Sequence, residues 1–257
     1  MKEDYLYSSA FEKSVDALVA ELTAMNYRPK PWQLHPEKAA LLVLDMQNYF
    51  LDPSSHAFAP SAPAILPNVE KLILMADKNN MELILTRHVN DKVNAGRMDK
   101  WWKDVIREGS YEAEIFETVR LYDVRTVGRK DWKRRQGDGE RIQGDRERIQ
   151  GDRETKESEV WKIINKNQYD AFYNTDLEQF LRSKNIEQVI ISGLLANLCC
   201  ETTARSAFVR GFEVFFPVDA TAAYNRDFHL STFRNLDFGF CPLLRTSELI
   251  NSVYEAS

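Results

Sequence analysis

Two adjacent cysteines, Cys199 and Cys200, follow a short apolar run in the second half of the chain. The run at 189–191 is β-branched, which is typical of a buried parallel strand, and Gly193 ends it before a helical pattern begins. A thiol at the start of a helix lies near the positive end of the helix dipole, where the thiolate is favoured. The alternative is that both cysteines are small buried packing residues, the usual role of a free cysteine.

Two other residues that could take part in chemistry, Asp45 and Lys166, also follow strand-like segments. Asp45 comes directly after the apolar run at 39–44, and Lys166 comes just past a predicted strand at 159–164. Because the carboxyl ends of parallel strands meet at one edge of a sheet, we expect both side chains to lie near Cys199. A thiol, a carboxylate and an ammonium then supply a nucleophile, a general base and a charge that favours the ionised form of both. Taken singly, an Asp that caps a turn and a solvated Lys are common.

Strand-like and helix-like segments alternate along the chain. The alternation predicts an α/β fold with a mostly parallel central sheet, helices on both of its faces and right-handed crossovers. A helix is expected from Pro67 to Lys78, with Pro67 in its first turn. Strands are expected at about 39–44, 81–88, 159–164, 189–191, 212–216 and 242–245.

Residues 1–30 are predicted to be an N-terminal helix and linker that packs on the main domain or on a second subunit, and the main domain is expected to span residues 31–257. Residues 5–26 carry apolar side chains at helical spacing, which indicates an amphipathic helix, and the prolines that follow indicate an extended linker. A charged insertion at about 128–158 interrupts the main domain and contains a tandem seven-residue duplication. One apolar residue in seven cannot form a helical seam, so the insertion is predicted to be solvated, either disordered or a short charged helix.

The composition excludes several classes of protein. A chain of 257 residues with 44% hydrophobic residues and a net charge of -5 is expected to be one globular domain without a nucleic-acid surface. No apolar run approaches the roughly 18 residues that span a bilayer, and the first residues lack a signal-peptide core, so a cytoplasmic location is expected. The three cysteines have neither a disulfide framework nor the spacing of a zinc site, so neither a metal nor another cofactor is predicted.

Three motifs in order along the chain resemble those of the isochorismatase-like cysteine hydrolases. They are Leu44-Asp-Met-Gln47, Lys166-Asn-Gln-Tyr-Asp-Ala-Phe172 and Gly193-Leu-Leu-Ala-Asn-Leu-Cys199. The resemblance runs from about 32 to 248, apart from the insertion. It implies a three-layer α/β/α sandwich of Rossmann type and a homo-oligomer.

The resemblance also assigns roles to individual residues. Asp45, Lys166 and Cys199 match the family's catalytic triad, which leaves Cys200 as a structural thiol. A cis peptide is implied at Leu194–Leu195, with the backbone N–H groups of Leu195 and Cys199 forming an oxyanion hole. Such fixed donors are what a developing tetrahedral oxyanion needs.

The flanking residues place the chain closer to the isochorismatases of siderophore and phenazine pathways than to the nicotinamidases. Nicotinamidases carry a metal-binding Asp and histidines, and His56 and His88 do not reproduce that pattern. In phenazine-type enzymes a Gln and an Arg hold the substrate at positions that match His88 and Arg97, and Arg97 could clamp a carboxylate on a small-molecule substrate. The candidate substrate-binding residues are Gln47, His88, Arg97, Trp101, Tyr169 and Phe172.

Cys199 decides between two possible reactions, hydrolysis of a vinyl ether and hydrolysis of an amide. Isochorismatases hydrolyse a vinyl ether by protonation and lack a thiol at this position, whereas a thiol favours attack on an amide carbonyl through a thioester. The predicted function is hydrolysis of a small amide on Cys199. The alternatives are vinyl-ether hydrolysis with Asp45 as the acid, and a non-catalytic binding or assembly subunit of the same fold.

Overall fold

The structure, a computed structural model, describes residues 1–23, 33–120 and 161–255 of the chain. The charged insertion predicted at about 128–158 lies outside the described residues, and so does most of the proline-containing linker.

Seven parallel strands form the centre of the described fold. The sheet order is β3-β2-β1-β4-β5-β7, with the short strand β6 paired to β4. Strands β1 and β4 are buried along their whole length, as expected for continuous apolar runs covered on both faces. This sheet confirms the predicted α/β class. The strands are β1 Ala39–Leu44, β2 Glu82–His88, β3 Trp161–Lys166, β4 Gln188–Leu194, β5 Glu213–Pro217, β6 Thr221–Ala222 and β7 Leu243–Leu244.

The helices of the described residues pack in two groups around this sheet. Helix α3 contacts strands β1, β2 and β4 and also α9, whereas α7 contacts β5 and α8, and α1 contacts α8. No helix among the described residues is both long enough and apolar enough to cross a membrane. The helices are α1 Phe11–Thr23, α2 Asn48–Leu51, α3 Ala62–Lys78, α4 Arg97–Trp102, α5 Glu117–Arg120, α6 Leu177–Ser183, α7 Glu201–Val209, α8 Arg226–Gly239 and α9 Thr246–Glu255.

The strand order reverses between β1 and β4, and a crevice opens there at the carboxyl ends of the strands. Asp45 directly follows β1, Lys166 is the last residue of β3, and Cys199 lies in a turn of π-helix, Ala196–Cys200, after β4. The topology alone therefore brings all three residues to the same edge of the sheet.

Several local predictions differ from the structure. Helix α3 begins at Ala62, so Pro63 occupies the first turn, where its missing N–H costs nothing, and Pro67 lies inside the helix. The first seven residues are not helical, because the backbone N–H groups of Tyr5 and Leu6 donate to the Ser61 hydroxyl instead. Strand β6, only two residues long, was not predicted.

Gly193 was expected to end its strand, but it lies within β4 and allows β1 and β4 to approach closely. Its φ is +109°, and a Cβ built there would lie 2.1 Å from the Leu44 carbonyl oxygen. Gly193→Ala is therefore expected to lower the free energy of unfolding by about 3 kcal/mol or more, measured by urea denaturation. Gly211→Ala is the control, because its φ is +83° but no atom lies within 4 Å of the added Cβ. Equal losses in the two variants would contradict the role given to the close approach.

Candidate active site

The structure brings Asp45, Lys166 and Cys199 into direct contact in a buried cluster. Lys166 Nζ lies 2.7 Å from Asp45 Oδ2 and 3.3 Å from Cys199 Sγ, and it donates to the Gln168 carbonyl oxygen at 3.1 Å. An ammonium has three N–H donors, and these three acceptors surround it. The arrangement holds a cation between a carboxylate and a thiol.

The Asp45 carboxylate is fixed by a second partner on β2. The Thr86 hydroxyl donates to Asp45 Oδ1 at 2.6 Å and accepts from the Asp45 backbone N–H at 3.2 Å. Burial by itself would raise the pKa of Asp45, but the Lys166 ammonium beside it brings the pKa below its ordinary value. The carboxylate is therefore ionised near neutral pH and able to accept a proton.

Cys199 and Lys166, the two titratable neighbours of Asp45, are both in their protonated forms. Burial raises the pKa of the Cys199 thiol to about 12, and the Asp45 carboxylate adds to this rise, whereas Lys166 offsets it in part. Burial acts to lower the pKa of Lys166, but Asp45 and Cys199 raise it above its usual range. The resting site is thus a thiol beside an ion pair, which differs from the expectation that the helix start and Lys166 favour the thiolate.

The turn that carries Cys199 begins just after a cis peptide bond and is closed by backbone hydrogen bonds. The Leu194–Leu195 peptide bond is cis, and the Leu195 carbonyl accepts from the N–H groups of Leu198 and Cys200 at 3.0 and 3.2 Å. The Cys199 N–H belongs to the same turn at the start of a helix, a place where backbone N–H groups are suited to a ligand oxygen. Cys200 is fully buried in the hydrophobic core, where it acts in packing.

A pocket opens over Cys199. Six of the thirteen described residues that line it are aromatic, and the indole Nε1–H of Trp102 donates to the Tyr169 hydroxyl at 2.6 Å across one side. Among the described residues that line the pocket, Asp104 is the one carboxylate, and no Lys or Arg lines it. The aromatic lining residues are Tyr49, Phe50, His88, Trp102, Tyr169 and Tyr224.

Two of the six candidate substrate-binding residues, His88 and Tyr169, line this pocket. The side chain of Gln47 is instead used by backbone groups: it donates to the carbonyl oxygens of His88 and Ala113 and accepts from the His88 N–H. Phe172 is buried and stacks on Phe212 in the core, with ring centroids 5.8 Å apart. Neither Gln47 nor Phe172 lines the pocket.

The two remaining candidates lie on the outer side of α4. Arg97 is exposed, and Trp101 is 79% exposed, whereas Met98 and Trp102 of the same helix line the pocket. Residues four apart share one face of a helix, so the spacing of Met98 and Trp102 is a signal that could have selected them.

Other pocket residues absent from the prediction come from the short helix α2 and from loops. Tyr49 and Phe50 follow Asp45 closely, and this position just past a strand end was a usable signal. Tyr224 follows the unpredicted strand β6, and Asn90 and Asp104 lie in the irregular segments around α4, which have no periodicity to read.

The donor atoms of Asp45, His88 and Cys199 all lie within 4.8 Å of one another, a spacing that metal sites also have. The Lys166 ammonium, however, already lies against two of these three groups, and the thiol is protonated. A metal ion there would meet the like charge of the Lys166 ammonium, so this set does not fit a metal.

Comparison with known proteins shows the family. The family model described as Isochorismatase domain matches residues 39–248. Nicotinamidase 3 of Arabidopsis thaliana is 32% identical over 237 residues, which cover 91% of this chain and 98% of that protein. Isochorismatase of Bacillus subtilis is 24% identical over 200 residues, which cover 77% of this chain and 52% of that protein.

A similar fold is found among solved structures. The crystal structure of a cysteine hydrolase from Pseudomonas syringae pv. phaseolicola matches with a TM-score of 0.71 at 22% identity, covering 90% of this chain and 100% of that one. The identity to Nicotinamidase 3 exceeds that to Isochorismatase of Bacillus subtilis, which reverses the order of similarity expected from the flanking motifs. The chain belongs to the isochorismatase family of hydrolases.

Proposed function

We propose that the protein hydrolyses the C–N bond of a small, uncharged aromatic amide through a thioester on Cys199. The observation that carries this proposal is a thiol that lines an aromatic pocket while it touches a buried Asp45–Lys166 ion pair. A carboxylate acceptor beside a protonated thiol is what nucleophilic attack by sulfur requires.

In the first half of the reaction, Asp45 takes the Cys199 proton as the sulfur attacks the amide carbon. A C–S bond forms, and the carbonyl electron pair moves onto oxygen, which accepts hydrogen bonds from the backbone N–H groups of Leu195 and Cys199. Because the pKa of the thiol is about 12, proton transfer and attack occur together and not through a stored thiolate. The C–N bond then breaks, and the amine leaves with the proton held by Asp45.

In the second half, water replaces the amine in the pocket. Asp45 takes one proton from this water, whose oxygen attacks the thioester carbon, and the C–S bond breaks to release the acid. The proton on Asp45 returns to Cys199. Lys166 stays protonated throughout, since its pKa lies above its usual range, and it stabilises the ionised form of Asp45 before each half of the reaction begins.

The pocket walls favour an uncharged aromatic substrate over the carboxylate-bearing one considered from the sequence. Aromatic side chains offer stacking and edge contacts to a flat ring. A carboxylate on the substrate would meet Asp104 and no cation, because Arg97, the residue expected to clamp it, is exposed and does not line the pocket. The similarity to Nicotinamidase 3 supports nicotinamide as a substrate to test first.

The two alternatives have weaker support. Vinyl-ether hydrolysis needs a protonated carboxyl as the acid, whereas Lys166 holds the pKa of Asp45 below its ordinary value despite burial. A non-catalytic subunit would have no need of a buried ion pair aligned with a thiol in a pocket.

A panel of substrates tests the proposal. Nicotinamide, benzamide, aliphatic amides and ring-carboxylated aromatic amides are assayed for ammonia release, and isochorismate for pyruvate release. We expect ammonia from uncharged aromatic amides and no pyruvate. Pyruvate without ammonia would instead establish the vinyl-ether reaction, and neither product from the folded protein would contradict hydrolysis of these classes.

Asp104 is expected to select against anionic substrates. Its carboxylate accepts from the Tyr49 hydroxyl at 2.5 Å and lies 2.9 Å from His56 Nε2. Asp104→Asn removes the charge and keeps the size, so kcat/KM for a ring-carboxylated amide relative to the uncharged amide should rise by about 5- to 10-fold. Asp52→Asn is the control, since Asp52 lies outside the pocket lining. The same rise in both variants would contradict a local role for Asp104.

A further inference from the structure

Asn90 is held in one orientation by backbone groups of the segment that follows α4. Its backbone N–H donates to the Ile106 carbonyl oxygen at 2.8 Å, and the Ile106 N–H donates to Asn90 Oδ1 at 2.8 Å. A backbone N–H can only donate, so the atom that faces it must be the amide oxygen. The amide nitrogen of Asn90 therefore points the other way.

That nitrogen lies 3.0 Å from His88 Nε2, and both residues are buried. An amide NH₂ group has donors and no acceptor, so Nε2 must contribute its lone pair to this bond. A neutral imidazole carries one proton, which is then on Nδ1. We call these two hydrogen bonds, from Ile106 to Asn90 and from Asn90 to His88, the relay. In both of them the donor is on the side of Ile106, which fixes the tautomer of His88.

The backbone of His88 is fixed as well. Gln47 accepts from the His88 N–H at 2.8 Å and donates to the His88 carbonyl at 3.1 Å, while β2 pairs with β3 so that His88 lies opposite Lys166. The position and the proton of this imidazole are thus both set by neighbours that do not change during the reaction.

The location of His88 makes the tautomer important. A ring nitrogen of His88 lies within 4.8 Å of an Asp45 carboxylate oxygen and of Cys199 Sγ. The site therefore contains the components of a Cys–His pair as well as those of a Cys–Asp pair. An imidazole lone pair free at this distance would compete with Asp45 for the thiol proton.

We propose that Asn90 is a positioning residue that holds His88 as the Nδ1–H tautomer with its lone pair already used, which leaves Asp45 as the base for Cys199. The tautomer follows from the hydrogen bonds alone, whereas its consequence for the choice of base rests on the proposed amide hydrolysis.

Electrostatics around His88 support the same state. The charged and titratable groups that face it are Asp45 after β1, Lys166 at the end of β3 and Cys199 in the π-helical turn. Burial, and next the Lys166 ammonium, lower the pKa of His88 to about 4, against the opposing effect of Asp45. The imidazole is neutral throughout the range in which an amide hydrolase operates.

His229 provides an internal reference of the opposite tautomer. The Tyr5 hydroxyl oxygen accepts from the Ala223 N–H at 2.8 Å, and its O–H is available to donate to His229 Nδ1, 2.9 Å away. The proton of His229 is then on Nε2, which faces Thr221 Oγ1 at 3.0 Å. His88 should therefore be protonated on Nδ1 and His229 on Nε2.

The first test is ¹⁵N NMR of the imidazoles in the intact protein, which needs no substrate. The chain has four histidines. The variants His35→Asn and His56→Asn each remove the imidazole signals of one exposed histidine outside the proposed relay, so the remaining signals belong to His88 and His229. We expect His88 and His229 to show opposite neutral tautomers that persist between about pH 5 and 8. A wild-type His88 protonated on Nε2 would overturn the relay whether or not amides are hydrolysed.

The second test is Asn90→Asp. The new carboxylate can still accept from the Ile106 N–H, but its other oxygen requires a donor, so His88 should move its proton to Nε2 and titrate nearer the ordinary value of about 6.5. The kcat/KM profile for amide hydrolysis should gain an ionisation near about pH 6–7 and fall about 10-fold or more, while KM changes little.

Asn94→Asp is the matched control for added charge. Asn94 is exposed, and its side-chain oxygen accepts from the Asp91 N–H, a role that a carboxylate retains. This variant should keep the wild-type tautomer and pH profile. An Asn90→Asp protein with an unchanged His88 tautomer, or an Asn94→Asp protein with the new ionisation, would contradict the proposal.

Discussion

Replacing Cys199 by alanine is expected to lower amide hydrolysis by at least about 10⁴-fold, because the thioester route is lost with the sulfur. Asp45 and Lys166 remain paired in this variant, so its fold and substrate binding should be retained. The measurement is ammonia release, with substrate binding followed separately by calorimetry. A retained Kd with lost turnover would identify Cys199 as a group that acts on the reacting bond.

The covalent intermediate gives a direct readout of the same prediction. Acid quenching during turnover should trap the wild-type enzyme with the added mass of the acyl group, and peptide mapping should place that mass on Cys199. Cys200→Ala is the control, because Cys200 lies in the core and outside the pocket lining, and its activity should stay within about 10-fold of wild type. Full hydrolysis by Cys199→Ala, or acylation of Cys200, would contradict the mechanism.

The grouping of Asp45, Lys166 and Cys199 could be predicted from the sequence because it depends on topology. Asp45 and Cys199 follow apolar runs and Lys166 follows a strand-like segment, and parallel strands bring their carboxyl ends to one edge whatever the details of packing. The protonation state of Cys199 could not be predicted in this way. It depends on the burial of Cys199 and on the 2.7 Å ion pair beside it, quantities that the order of residues does not contain.

The pocket walls were harder to predict, since they depend on which face of a short helix turns inward. Trp101 and Trp102 are adjacent and chemically equal, yet only the second lines the pocket. Gln47 and Phe172 lie within the motifs that carry the family resemblance, but their contacts are with backbone groups and with the core. Motif membership therefore indicated the site as a whole better than the role of each residue in it.

The second large effect is expected at Lys166. Lys166→Met leaves the Asp45 carboxylate buried without its cation, which should lower the free energy of unfolding by about 3–5 kcal/mol at neutral pH. Activity should fall about 10³-fold or more, because a protonated Asp45 cannot accept the thiol proton. Lys162→Met on the same strand is the control: its pair with Asp176 has the same 2.7 Å separation but is partly exposed, so about 1 kcal/mol or less should be lost.

The pH dependence of stability distinguishes an unpaired charge from lost packing. In the wild type the lowered pKa of Asp45 stabilises the fold above the ordinary carboxyl value of about 4, and the raised pKa of Lys166 stabilises it below about 10.4. In Lys166→Met the uncompensated burial raises the pKa of Asp45 above its unfolded value, so the variant loses stability as pH rises through neutrality and regains it in acid.

The double variant Asp45→Asn/Lys166→Met removes both charges and completes this comparison. Because no buried charge is left without a partner, its free energy of unfolding at neutral pH should exceed that of Lys166→Met alone, although its activity stays lost. Urea denaturation between about pH 5 and 9 measures the effect in the wild type, Lys166→Met, Lys162→Met and the double variant. A stability loss in Lys166→Met that is independent of pH and is not relieved by Asp45→Asn would mean that Lys166 stabilises the fold through packing, and not as the counter-charge of the catalytic carboxylate.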